Sequence, residues 1–314
     1  MEYDTEEELS RIVRDDSFSA YRSLSIGEGS NLLFINDFDG IILHSCIKGI
    51  TVTDETSDEV VLRVGAGVHW DDAVAFAVSN GWGGIENLSD IPGEAGAAAV
   101  QNIGAYGVEI KDVMETVEAI NQLTGAKHEF TNEACRYAYR HSFFKEERPD
   151  PFIITFISLR LQKKPHYKLG YGDLAALAAL SGSRSATLQA VRNAVIEIRR
   201  NKLPEPAMLG NAGSFFVNPV VPQSQFDALS DRFPSIPSYP APDGTVKIPA
   251  GWLIEQCGFK GKREGNVGVY EKQALIIVNH GGATGSEIAS FAEKISCAVK
   301  ETFGVVLVPE VKYV

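Results

Sequence analysis

Residues 81–107, GWGGIENLSDIPGEAGAAAVQNIGAYG, restrict the fold of this chain more than any other stretch. They are rich in Gly and Ala, nearly free of charge, and follow neither the helical nor the strand period of apolar residues. Such a segment is either a disordered linker or a backbone laid tightly against something. The interspersed Ile, Val and Tyr argue against the linker. The small side chains of IPGEAGAAAVQNIGAYG (91–107) let a backbone approach a large flat or extended cofactor, although close packing of a loop on a sheet needs the same residues.

A second glycine-rich stretch, IGEGSNLLF (26–34), lies between two strand-like runs. Gly27 and Gly29 allow a tight turn whose amide N–H groups can face a pyrophosphate, and Ser30 and Asn31 add side-chain donors. Leu32 occupies the third glycine position of a Rossmann fingerprint, and no Gly-Lys-Ser/Thr follows, so neither that motif nor a P-loop is present. A structural hairpin turn explains the stretch equally well alone. Two such cradles in one chain lean towards a dinucleotide such as FAD.

The 314 residues suffice for two or three domains, and 44% apolar with 22% charged residues is the balance of an ordinary globular protein. A net charge of -12 argues against nucleic acid and anionic membranes as partners, so anionic ligands must be met by locally placed cations. No run approaches the ~20 apolar residues of a membrane span. The acidic start, MEYDTEEEL, lacks the basic and apolar regions of a signal peptide. Four cysteines without a C-x-x-C pair fit reduced thiols in a cytoplasmic protein. The six histidines show no H-x-x-x-H or H-E-x-x-H spacing, so no metal is expected.

Thr5 and Glu8 match a capping box for a short helix buried through Leu9, Ile12 and Val13. A helix is expected over 70–79, stopped by Asn80-Gly81, and a buried strand over 152–161. Leu188, Val191, Val195 and Ile198 mark a helix that Pro204 ends. A last helix carries Ile288, Phe291, Ala292, Ile295 and Val299, with Ser286 as cap and Gly304 as stop, and GVVLVPEVKYV closes the chain as a strand. Strands and helices mix without βαβ alternation, which reads as α+β.

Three polar groups stand among apolar neighbours. Arg140, in CRYAYRHSFFK (135–145), is flanked by Tyr139, Phe143 and Phe144; a surface position is the ordinary one, and a buried guanidinium needs an anion. Ser214, in GNAGSFFVNP (210–219), is a single hydroxyl between small residues and two phenylalanines, read here as pressed into an apolar niche. Glu310, in LVPEVKY, either points to solvent or serves a site. No G-x-S-x-G elbow surrounds any serine.

At these residues the chain resembles a known family, the UDP-N-acetylenolpyruvoylglucosamine reductases (MurB) of peptidoglycan synthesis. The resemblance rests on GEGSNLLF, GIENLSDIPG, QNIGAYGVE, YRHSFFK, GYGDL, NKLPEP, GNAGSFFVNP, AGWLIEQCGFKG and PEVKY, in family order along nearly the whole chain. GYGDL, with Tyr171, points to the subtype that carries a tyrosine loop over the substrate.

The resemblance implies an α+β fold: a two-part FAD-binding region of the vanillyl-alcohol-oxidase (PCMH) type and a smaller α+β substrate-binding domain. It places a first FAD subdomain at 1–49, a second at 50–203 with 305–314 returning to it, and the substrate domain at 204–304. Relatives carry a further N-terminal stretch with an Asn-Thr-Phe motif, so the first subdomain is expected to be N-terminally shortened. The implied activity is reduction of the enolpyruvyl ether of a UDP-sugar to UDP-N-acetylmuramate by NADPH through noncovalently bound FAD, in a cytoplasmic monomer serving cell wall biogenesis, cell shape and division. Arg140, Ser214 and Glu310 are implied as the catalytic set, converging on one unsaturated carbon pair. FAD contacts are implied at Gly27, Glu28, Gly29, Ser30, Asn31, Ile91, Gly93, Ala97, Ala98, Asn102 and Gly104. The UDP-sugar is implied at Tyr171, Lys202, Asn218, Tyr239, Lys260 and Gln273. Ala97 and Ala98 stand where relatives often carry hydroxyls, and Val217 where a lysine is common. Another FAD-dependent oxidoreductase of this fold would share the glycine-rich cradles without the catalytic set, and a nucleotide-sugar binder would lack flavin.

Overall fold

In a computed structural model, residues 1–146, 151–170, 174, 176 and 187–314 are described. They gather into two compact units, Met1–Gly29 with Asp39–Arg199, and Ser30–Phe38 with Arg200–Val314.

The first unit opens with the helix Glu6–Val13. Thr5 Oγ1 accepts the Glu8 N–H at 3.1 Å, and Glu8 reaches back to the Asp4 N–H at 2.9 Å, so the carboxylate closes the cap one residue earlier than a standard box. Leu9 and Val13 bury its inner face. Beside it, Glu2–Tyr3 and Ser23–Ile26 pair parallel with the two sides of Ile41–Ser45.

A five-stranded antiparallel sheet forms the body of this unit, in the order Lys127–Thr131, Met114–Asn121, Phe152–Gln162, Glu59–Gly65, Ile50–Glu55. The central strand, FIITFISLRLQ, is paired on both sides and mostly buried. One face packs the main core: Leu62, Val64, Val117, Ile157 and Leu159 lie against Trp70, Val74 and Ala77 of the helix Trp70–Ser79 and Ala98 and Ala99 of the helix Ala95–Gln101. The other face carries ion pairs, with Arg63 to Glu118 and Arg160 to Glu115. Alternation along the strands puts these two sets on opposite faces. The helix Leu188–Lys202 is clamped to the Trp70–Ser79 helix by a two-pronged Arg192–Asp71 pair at 2.6 and 2.7 Å.

In the second unit, Gly210–Ser214, Ile276–Asn279, Val267–Val269 and Arg263–Glu264 form one antiparallel sheet, and Val220–Pro222, Thr245–Lys247 and Tyr239–Pro240 another. The helix Gly285–Phe303 buries Phe291, Ala292, Ile295, Val299 and Phe303 in a core shared with Phe215, Phe216, Leu253 and Ile277. Its cap is Thr284, in a full capping box with Glu287, and not the expected Ser286; Gly304 ends it at φ +67° as expected.

The chain's end is less regular than its alternation suggests. Only Lys312–Tyr313 is a strand, parallel to Leu32–Leu33, with a single bridge from Phe216 to Pro309. That pairing goes with 30–38 and the C-terminal residues belonging to the second unit.

Candidate active site

The two glycine-rich stretches, some sixty residues apart in sequence, meet in the first unit. A Cβ at Gly27 would lie 3.1 Å from Glu94 Oε2 and 3.3 Å from the Ala97 Cβ. Glu28 accepts the Gly93 N–H at 2.9 Å, and its other oxygen is 2.7 Å from His69 Nδ1. The next turn, Trp70 N–H to Gly93 carbonyl at 2.9 Å, holds the same loop from behind. Gly29 turns at φ +73° with open space where a side chain would stand, and Gly93 turns at φ +107°. Residues 91–107 are therefore no linker: they contain the helix Ala95–Gln101, which ends at Asn102 in the left-handed region (φ +46°).

Within this cradle the expected contacts divide by orientation. Ala97 is exposed beside Gly27, while Ala98 is buried in the core and Ile91 packs partly against it. Asn102 is fully buried, and its amide nitrogen donates to Ala138 carbonyl at 2.7 Å and Glu109 at 3.2 Å. Its side chain thus braces the loop. Arg140, itself at φ +56°, donates to Gly104 carbonyl at 2.9 Å and lies over the Tyr139 ring at 5.2 Å. A Cβ at Gly104 would meet Glu109 at 2.8 Å and Arg140 Nη1 at 3.0 Å, which explains the glycine. Sequence reading missed Glu94, 3% exposed, whose carboxylate sits 3.2 Å from His44 Nε2 and 3.7 Å from Lys48 Nζ. As the one acid of residues 91–107, it was itself the available signal.

The second unit holds Ser30, Asn31, Ser214 and Glu310. Ser214 ends the strand Gly210–Ser214, after an irregularity in its pairing with Ile276–Asn279 and after Gly213 at φ +71°. Phe215 and Phe216 are each 2% exposed, but Ser214 itself is exposed. The apolar niche read from the sequence is corrected: both rings turn into the core just past the strand's end, while the hydroxyl, after the left-handed Gly213, stays on the exposed side. Glu310 N–H donates to Phe215 carbonyl at 2.8 Å, and the Asn31 amide donates to Glu310 carbonyl at 3.2 Å, so Asn31, Ser214 and Glu310 lie on adjoining backbone.

Of the expected sugar-nucleotide contacts, Asn218 Oδ1 accepts the Ala250 N–H at 2.9 Å at the start of the helix Ala250–Gln256. Tyr239 is exposed opposite Lys247, Lys260 pairs with Glu255 at 2.9 Å, Lys202 is exposed, and Gln273 Oε1 lies 3.1 Å from where a Gly251 Cβ would stand. Tyr171 lies outside the described residues.

A model of an FAD binding domain matches residues 1–130, and one of the UDP-N-acetylenolpyruvoylglucosamine reductase C-terminal domain matches 205–314. With the α+β architecture and the paired cradles, they define an FAD-dependent oxidoreductase with an FAD-binding region of the PCMH type. A UDP-N-acetylenolpyruvoylglucosamine reductase of Porphyromonas gingivalis is 54% identical over 315 residues, covering 100% of this chain and 93% of the relative. That of Bacteroides fragilis is 46% identical, again over 100% of this chain and 93% of the relative. The crystal structure of the MurB reductase from Thermus caldophilus superposes with a TM-score of 0.67 at 23% identity, covering 99% of this chain and 90% of that one, a likeness of fold. The chain belongs to the UDP-N-acetylenolpyruvoylglucosamine reductase family. Among the described residues no helix is long and apolar enough to cross a membrane.

Proposed function

We infer that this chain reduces UDP-N-acetylenolpyruvoylglucosamine to UDP-N-acetylmuramate with NADPH, as a cytoplasmic monomer serving cell wall biogenesis, shape and division. The observation that carries the reading is identity of about half the residues to reductases of that name along the whole chain. The cradle residues fit FAD. Gly27 has no room for a side chain against Glu94 and Ala97, Gly29 opens onto free space, and the Glu94 and Glu28 carboxylates are held by His44, Lys48 and His69. Gly27, Glu28, Gly29, Ile91, Gly93, Ala97, Ala98, Asn102 and Gly104 would hold the cofactor noncovalently, with Ser30 and Asn31 as further donors.

Bound FAD supplies the hydride, drawn from NADPH, that adds to the terminal methylene carbon of the enol ether. The residues of this chain handle the charge and the proton. As the methylene carbon gains its hydrogen, charge moves onto the neighbouring carbon and into the carboxylate. The Arg140 guanidinium suits that carboxylate by its planar fork. Ser214 donates the proton to the α carbon. An alcohol is a poor acid, so it serves only at short range to a strongly basic carbon with water excluded. Because Ser214 is exposed in the protein alone, exclusion of water falls to the bound ligands. Glu310 assists electrostatically or as an acid from the adjoining backbone. Tyr171, Lys202, Asn218, Tyr239, Lys260 and Gln273 are assigned to the UDP-sugar.

The test is anaerobic spectroscopy of the purified protein. NADPH should bleach the flavin absorbance, and the enolpyruvyl sugar nucleotide should restore it within a turnover. Rapid reoxidation by oxygen without response to that substrate would favour an alcohol oxidase of the same fold, and colourless protein with affinity for UDP-sugars a binding protein.

A further inference from the structure

The parallel pairing of Glu2–Tyr3 with Ile41–Ser45 sets Glu2 opposite His44. Cys46 follows one residue past the end of that strand, with its N–H on the Tyr3 carbonyl at 2.8 Å. One donor atom from each of Glu2, His44 and Cys46 lies within 4.8 Å of the others. His44 Nδ1 stands 3.2 Å from Glu2 Oε1, and His44 Nε2 stands 3.2 Å from both oxygens of Glu94.

A neutral imidazole has one N–H and one lone pair, yet this ring faces a carboxylate at each nitrogen. Glu94, buried and fixed at the start of its helix, is the firmer partner on the Nε2 side. On the Nδ1 side the exposed Glu2 carboxylate and the Cys46 thiol stand together with the ring. A histidine that donates one nitrogen to a buried carboxylate and offers the other outward is the arrangement that orients metal ligands in proteins.

We propose that Glu2, His44 and Cys46 form a binding site for a divalent cation of the zinc class, with His44 Nδ1, Cys46 Sγ and a Glu2 oxygen as ligands and water as the fourth. Sulfur and imidazole donors select zinc over magnesium or calcium. Zinc bonds of about 2.0–2.3 Å place tetrahedral ligands roughly 3.3–3.8 Å apart. With the three donors already within 4.8 Å of one another, the site needs to close by no more than about 1.5 Å. Binding releases the Cys46 thiol proton to solvent. The sequence spacing concealed the site, since Glu2 reaches the other two only through strand register.

The experiment titrates Zn2+ into the flavin-loaded full chain after chelator treatment, followed by calorimetry. One equivalent should bind. Iodoacetamide labelling read by peptide mass spectrometry should show Cys46 protected by Zn2+ and the exposed Cys297 labelled at an unchanged rate. H44A and C46S should each weaken binding at least tenfold. E2Q, on an exposed side chain that leaves the fold untouched, should weaken it several-fold. Absence of saturable binding would overturn the proposal and leave His44 as an imidazolium bridging two carboxylates. So would affinity that E2Q and C46S leave unchanged, or equal protection at both cysteines.

Discussion

Glu310 N–H donates to the carbonyl of Phe215 at 2.8 Å, which places the glutamate beside the residue that follows Ser214. Nearly a hundred residues separate the two in sequence. The contact depends on the chain's end running back along the strand edge, where Val217 N–H also bonds Val308 carbonyl at 2.9 Å. Asn31, donating to Glu310 carbonyl, ties the 30–38 segment to the same place.

Ser214→Ala should leave NADPH-driven bleaching intact and slow substrate-driven reoxidation by ~10²–10⁴, the usual contribution of a positioned proton donor. Because Ser214 is exposed, the variant should melt within about 0.5 kcal/mol of the parent. Stopped-flow absorbance separates the two half-reactions. Equal loss in both would remove Ser214 from the proton-donor role.

Glu28→Ala should loosen flavin. The carboxylate joins the two cradles by accepting the Gly93 N–H and pairing with His69. Hydrogen bonds to charged groups contribute roughly 1.5–3 kcal/mol, so the FAD dissociation constant should rise about tenfold or more. Flavin fluorescence titration of stripped protein reads this directly, and unchanged affinity would refute the clip.

Gly285→Ala tests how the second unit holds its own 30–38 segment. A Cβ there would lie 1.8 Å from Phe34 carbonyl oxygen, a backbone atom that no rotamer change can clear. Overpacking of this kind costs about 3 kcal/mol. Thermal denaturation should show a lowered Tm, whereas Gly281→Ala, with open space at its Cβ, carries only the penalty of its φ of +109°.

Much of the fold was legible because local signals agreed with burial. Residues 70–79 and the strand from Phe152 follow their apolar periods, and Gly304 stops the last helix as a left-handed cap. Where reading failed, a competing local device decided. Thr284 out-competed Ser286 because Glu287 stands at the right distance to complete a box. Ser214 looked buried from its neighbours, but both rings turn into the core while the serine stays on the exposed side. The two glycine-rich stretches were legible as closely approaching backbone, while their clip by Glu28 and His69 and the buried Glu94 were not. Those depend on contacts dozens of residues apart that no periodicity encodes.

Asp71 offers a pH-dependent test of the first unit. Burial alone would raise its carboxyl, but the Arg192 hydrogen bonds, the Asp90 N–H at 2.6 Å and the charges of Arg192 and Arg199 outweigh this and hold it below the ordinary value. A carboxylate depressed in the folded state contributes stability that is fully present above its unfolded pKa of about 3.9 and is lost as pH falls through the folded value. Asp71→Asn should therefore destabilise the protein by roughly 1–2 kcal/mol at neutral pH, discounted because the group is partly exposed. The difference from the parent should shrink as pH drops below about 4. Urea denaturation at pH 7 and at progressively lower pH measures both, and a difference that stays constant through the acid range would mean that the pair with Arg192 adds nothing to folding.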